Sequence, residues 1–255
     1  MQIVAIGGGE ISIPCRLPQT LSVDREIVKL ARVRIAKSRS PNFLFIPTAS
    51  GDNVDYCHGI YRVYRTRLGC KLDYLKLSKG GLTDRQIQKK INRADIIYVG
   101  GGDTALMMCE WEKRGIGEML REAGERGAVL SGLSAGAICW SKWSVSDSLR
   151  IRDPSNWMPI KVDGLGFLPF ALCPHYESEG EWRRPAFKSM LREYGDIGVA
   201  LGDYSALEIV DQVYRVINFR KGGKAFKVFW KSGVFHEEEI KSKKTWSPLA
   251  NILSI

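Results

Sequence analysis

The stretch VLSGLSAGA, Val129–Ala137, decides the fold. Val129–Ser131 reads as a short buried strand, a helix is expected from Ala135 onward, and Gly132-Leu133-Ser134-Ala135-Gly136 lies between them as G-x-S-x-G. A serine in that setting sits on a sharp turn whose strained backbone demands small neighbours. The turn lifts the hydroxyl above the carboxyl edge of a sheet and aims the helix amides at developing negative charge.

Outward from this stretch, apolar runs alternate with amphipathic ones. Strands are expected at Ile3–Ile6, Phe43–Ile46, Leu72–Leu75 and Ile96–Val99, each short and bounded by turn formers. Between them, Val23–Lys37, Val54–Leu68 and Thr83–Ile91 place apolar residues at three- and four-residue spacing. That alternation predicts an α/β fold, a mainly parallel sheet flanked by helices. Beyond Ala137 the pattern loosens. Ser141–Gly166 reads as a loop or hairpin excursion, followed by a strand at Phe170–Cys173, a helix at Trp182–Glu193, and strands at Val199–Leu201 and Ala206–Val210. Val213–Phe219 and Ala225–Trp230, split by RKGGK, are expected to pair as a C-terminal β-hairpin. Residues 1–235 are read as one domain and 236–255 as a charged, weakly ordered tail.

Composition narrows the class. With 44% hydrophobic and 26% charged residues in a 255-residue chain, a full apolar core is available. No run approaches the roughly 20 apolar residues of a membrane span. MQIVAIGGGE reads as a first strand rather than a leader, so a cytoplasmic protein with no membrane partner is expected. Cys15, Cys57, Cys70, Cys109, Cys139 and Cys173 form no C-x-x-C pair, which favours buried free thiols over a metal cage. The net charge of +10 is spread along the chain without a recognition motif, so it is read as solvated surface and no specific nucleic acid is expected.

A nucleophilic serine needs a base, and the chain offers three histidines. His236 lies in the charged tail and His58 on an amphipathic helix; His175, in LCPHYESEG, follows a strand whose carboxyl end should face the crevice. His175 is therefore the expected base. The acid that would orient the ring is open among Asp147, Asp153, Asp163 and Asp203, with Asp147 chosen; Glu177 and Glu179 lie close to His175 in sequence. A second glycine run, Gly100-Gly101-Gly102, also joins a strand to a helix. It lacks nucleotide-binding spacing, so Gly101 or Gly102 is expected to supply one oxyanion donor and Ala135 the other. Gly7-Gly8-Gly9 is read as structural.

Taken together, VGGGDTALMM (Val99–Met108), GLSAGAICW (Gly132–Trp140), GLGFLPFALCPHY (Gly164–Tyr176) and GDYSALEI (Gly202–Ile209) resemble the peptidase S51 family, which includes aspartyl dipeptidase and cyanophycinase. The resemblance spans about Met1 to Trp230 and implies a class I glutamine amidotransferase-like fold. It implies Ser134 as nucleophile, His175 as base and an acid in the loop after the nucleophile helix, where Trp157 stands in place of the family's aspartate. It also implies a small peptide substrate with an acidic first residue, its carboxylate held by an arginine near Arg183 in GEWRRPAF. Asp103, in GGGD, departs from the more frequent GGGN. No metal and no organic cofactor are expected, and a homodimer is left open. An esterase or amidase of small acyl compounds, or a member that only binds a ligand, are the alternatives.

Overall fold

The computed structural model describes residues 1–255 except Ser12, Pro14, Cys15 and Lys79. The strands are β1 (Gln2–Ile6), β2 (Asn42–Ile46), β3 (Lys71–Tyr74), β4 (Ile96–Val99), β5 (Val129–Leu133), β6 (Trp143–Ser146), β7 (Ile160–Asp163), β8 (Ala171–Cys173), β9 (Gly198–Leu201), β10 (Ser205–Val210), β11 (Val213–Asn218), β12 (Ala225–Lys231), β13 (Val234–Glu239) and β14 (Ser247–Pro248). Among the described residues eight of them form one mixed sheet in the order β14-β11-β10-β1-β5-β4-β2-β3. The run from β1 to β3 is parallel, and β10 closes against β1 in antiparallel register, Ile3 opposite Ile209. The inner parallel strands β1, β5, β4 and β2 are apolar because both faces are covered, whereas the edge strand β3, KLDY, is partly exposed. The expected α/β fold is observed.

The helices are α1 (Leu21–Arg32), α2 (Val54–Ile60), α3 (Asp84–Arg93), α4 (Thr104–Glu112), α5 (Ile116–Glu125), α6 (Ala135–Ile138), α7 (Ser148–Arg152), α8 (Gly180–Tyr194) and α9 (Ala250–Leu253). One face of the sheet packs Ile3, Leu44, Ile97 and Leu130 against Met107, Trp111 and Leu120. The other packs Val4, Phe43, Tyr98 and Val129 against Val23 and Ile27 of α1, Ile60 of α2 and Tyr64 just beyond it. Thr83 starts α3 with a capping box: its hydroxyl accepts from the Gln86 amide while the Gln86 side chain accepts from the Thr83 amide. Asn53 caps α2 through the Tyr56 amide at 2.8 Å, and the rod continues as a π-helix over Tyr61–Arg67. No helix among the described residues is long and apolar enough to cross a membrane.

Two expectations are corrected. Val213–Asn218 and Ala225–Lys231 do not pair with each other, for they belong to different sheets. β11 folds back on β10 across Asp211-Gln212, while β12 folds on β13 across Ser232-Gly233, where φ values of 50° and 79° suit a two-residue hairpin turn. The RKGGK segment is a crossover, and Gly223 serves close packing: a Cβ there would lie 2.5 Å from the Tyr204 carbonyl oxygen. The stretch from His236 onward is also built into the fold. It completes β13, adds β14 and α9, and buries Leu249 and Ile252. Among the thiols, Cys57, Cys70, Cys139 and Cys173 are buried and free, Cys109 is free but exposed, and Cys15 lies outside the described residues.

Among the buried carboxyls is Asp24, which accepts from Tyr64 at 2.7 Å and Thr20 at 2.8 Å. Burial outweighs those two hydrogen bonds and pushes it up to about 7. Because the folded state holds the proton more tightly than the unfolded chain, this group's stabilisation is complete below about pH 4 and lost as pH rises through about 7. Asp24→Asn removes the charge; its amide oxygen accepts from one hydroxyl and its NH2 donates to the oxygen of the other. Its stability relative to wild type should rise between pH 4 and pH 8 by on the order of 4 kcal/mol in denaturant titrations; a pH-independent difference would contradict this.

Candidate active site

Ser134 is the single residue between β5 and α6. Its backbone takes φ 57° and ψ −114°, a conformation that costs about 1–3 kcal/mol for a residue with a side chain. The surroundings impose it. The Ser134 amide donates to the Ile6 carbonyl at 3.1 Å, and its own carbonyl accepts from Ala137 at 2.8 Å and Ile138 at 3.0 Å. Both flanking glycines are sterically required. A Cβ on Gly132 would lie 2.1 Å from the Gly136 carbonyl oxygen, and one on Gly136 would lie 2.0 Å from that of Val99.

His175 lies just past β8, also at positive φ, and its amide donates to the Gly7 carbonyl at 3.1 Å. Its ring Nδ1 is 2.8 Å from Asp203 Oδ1. Asp203 follows β9, and the next residue, Tyr204, donates its amide to the Gly8 carbonyl at 3.3 Å. Three successive carbonyls at the end of β1 therefore receive Ser134, His175 and the Asp203–Tyr204 turn. Gly8 lies directly under the ring and carboxylate, where a Cβ would approach Asp203 Oδ1 to 1.8 Å and His175 Nδ1 to 2.7 Å. Burial pushes the Asp203 carboxyl up, but the hydrogen bond and charge of His175, with Ser178 and Arg183, more than offset it and hold it below its ordinary value. With Asp203 ionised, Nδ1 carries the proton of that bond and Nε2 is left to accept.

The carboxylate on His175 is thus Asp203, not the expected Asp147. Asp147 precedes α7 without a side-chain capping hydrogen bond and lies 3.6 Å from Arg183 Nη2. Asp153 accepts from Ser155 at 2.6 Å, and Asp163 pairs with Lys161; both are exposed. Arg183 is likewise not where a substrate carboxylate would meet it. It is 3% exposed, with Nε and Nη2 on Glu179 at 2.8 and 2.6 Å and Nη1 on the Val145 carbonyl at 3.2 Å. Its fork is spent inside the protein. Lying at the amino end of α8, close to Cys173 and Asp203, it acts on the site as a nearby buried charge. His236 stacks on Phe229 in the second sheet, centroids 5.0 Å apart, away from Ser134's turn.

Gly101 lies beside the serine: a Cβ on it would be 3.3 Å from Ser134 Cβ. Its amide donates to the Tyr56 hydroxyl at 3.3 Å. Ala135 contributes the first amide of α6, one of those a helix's own ladder leaves unpaired. Gly102, at φ 138°, packs against Ala49 in the short 3-10 turn Thr48–Ser50, and a Cβ would meet the Ala49 carbonyl oxygen at 2.1 Å. Asp103 caps α4 through the Leu106 amide at 2.9 Å and is held by Arg152 at 2.9 Å. A cleft of about 900 Å³ opens here, bounded by Leu133, Gly101 and Tyr56 and walled by Glu10, Asp55, His58 and Arg62. Among the described residues no group of three or more His, Cys, Asp or Glu side chains is placed to hold a metal.

The sequence profile described as Peptidase family S51 matches residues 3–217. The uncharacterized peptidase YgaJ of Bacillus subtilis (strain 168) is 36% identical over 230 residues, 89% of this chain and 91% of that protein. Peptidase E of Salmonella arizonae is 30% identical over 108 residues, 40% of this chain and 45% of its own length. The crystal structure of a peptidase from an acI-B1 Actinobacterium superposes with a TM-score of 0.71 at 18% identity, covering 97% of this chain and 96% of that one, which shows a shared fold.

The Gly8 contact is directly testable. Gly8→Ala should force His175 and Asp203 apart, and the downfield Nδ1 proton resonance of His175 should disappear from the NMR spectrum. Its persistence in a folded variant would show that the close approach does not hold the pair.

Proposed function

Because the chain belongs to peptidase family S51, we propose that it is a serine peptidase of small peptides, dipeptidase-like in scope, with Ser134 as nucleophile, His175 as general base and Asp203 as the acid that orients the ring. The observation that carries this reading is the 2.8 Å contact between His175 Nδ1 and Asp203, set on the same strand end that strains Ser134. Ser134 Oγ attacks the scissile carbonyl carbon and gives its proton to His175 Nε2. The tetrahedral oxyanion gathers at the Ala135 amide, next to the Gly101–Gly102 turn. As the C–N bond breaks, His175 returns the proton to the leaving amine. Water then repeats the sequence on the acyl-enzyme and frees the serine.

The cleft supports a small, doubly charged substrate. Glu10 and Asp55 face it with negative charge and Arg62 with positive charge, which fits a short peptide carrying both an ammonium and a carboxylate. Preference for an acidic first residue draws no support from Arg183, whose donors are taken by Glu179 and Val145. Turnover of a dipeptide panel, with acidic, neutral and basic first residues, measures that preference.

Ser134→Ala should lower kcat by on the order of 10⁴-fold or more with folding intact. Asp203→Asn should cost roughly 10²–10⁴-fold, while Asp147→Asn costs far less. Undiminished turnover in Ser134→Ala, or a larger loss at Asp147 than at Asp203, would overturn the assignment.

A further inference from the structure

The Gly101 amide beside Ser134 is already engaged, and its partner is the hydroxyl of Tyr56, 3.3 Å away. Tyr56 comes from α2 and lines the same cleft as Gly101 and Leu133, the residue before the serine. Its ring packs edge-on to Phe45 with centroids 5.1 Å apart, and its Cε1 lies 3.0 Å from where Gly100 would carry a Cβ. Its backbone is fixed at the capped start of α2 by Asn53.

A phenol can accept and donate at once. Here the oxygen accepts from Gly101, and among the described residues none takes the hydroxyl proton. A donor that is itself hydrogen-bonded through its oxygen is strengthened by polarisation. We infer that Tyr56 is a further catalytic residue: its O–H, polarised by the Gly101 amide, donates to the tetrahedral oxyanion alongside Ala135. The Gly101 amide then acts through the phenol rather than on the oxyanion itself. This rests on the serine-peptidase reading above. The proton remains on Tyr56 throughout; it is shared in a hydrogen bond and not transferred, so the step needs no co-reactant. Burial pushes the phenol up to about 12 despite the Gly101 hydrogen bond, so the donor stays protonated at neutral pH.

Tyr56→Phe keeps the ring and removes only the hydroxyl. For a dipeptide that the wild type hydrolyses, kcat should fall about a hundredfold with KM unchanged. Affinity for a peptide aldehyde, which adds to Ser134 to form a tetrahedral adduct, should fall by a similar factor. Affinity for the matching peptide alcohol, which cannot add, should hold. A kcat close to wild type, or equal loss of aldehyde and alcohol affinity, would overturn the role. Ser134→Ala run in parallel separates the failures: if it stays active, the peptidase reading falls and Tyr56's role falls with it. If Ser134→Ala is dead while Tyr56→Phe is normal, only the Tyr56 role is lost.

Discussion

Everything at the site is referred to one short piece of backbone, the three carbonyls of Ile6, Gly7 and Gly8 at the end of the first strand. They accept the amides of Ser134, His175 and Tyr204 in turn, from segments far apart in the sequence. Each of those three residues has positive φ, so the strain of the site is concentrated where these bonds are made. Strain of a few kcal/mol persists only where surrounding structure over-determines it. Here β1 does so, since it is held on one side by β5 and on the other by β10.

Electrostatics follow from the same placement. Asp203 is partly withdrawn from water, yet its imidazole neighbour and the more distant guanidinium keep it ionised. Arg183 matters to this balance without touching substrate. Its charge is neutralised by Glu179 and Asp147, and breaking a buried cluster of this kind leaves an uncompensated charge, which is costly. The arginine is therefore part of the frame that steadies the turn after β8, while the cleft draws its charges from Glu10, Asp55 and Arg62.

Local pattern made the strands, the amphipathic helices and the serine turn legible, because each is encoded in adjacent residues: the G-x-S-x-G spacing requires the contacts that Gly132 and Gly136 make. Long-range pairing was not legible. Asp147 and Asp203 are equally plausible partners in sequence, and only the fold of β9 beside β8 brings the second to His175. At position 157, where the family pattern places an aspartate, Trp157 packs edge-on against Trp182. The terminal hairpin failed for a related reason. Both glycine-bearing segments around Gly222 and Ser232-Gly233 look like turns, but the choice between them depends on which sheet β12 joins. Gly7-Gly8 had a readable signal, a glycine pair directly after a strand that opens the crevice, yet nothing beside it in sequence announced the ring and carboxylate resting on it.

On the proposed reading, this strand end brings a reactive serine to an oriented imidazole. A crystal structure of the chain after reaction with a fluorophosphonate tests it most directly. A phosphorus bond to Ser134 Oγ is expected, with His175 Nε2 about 3 Å from that oxygen and Asp203 still on Nδ1. An unmodified Ser134, or a modified one with the imidazole turned elsewhere, would contradict it.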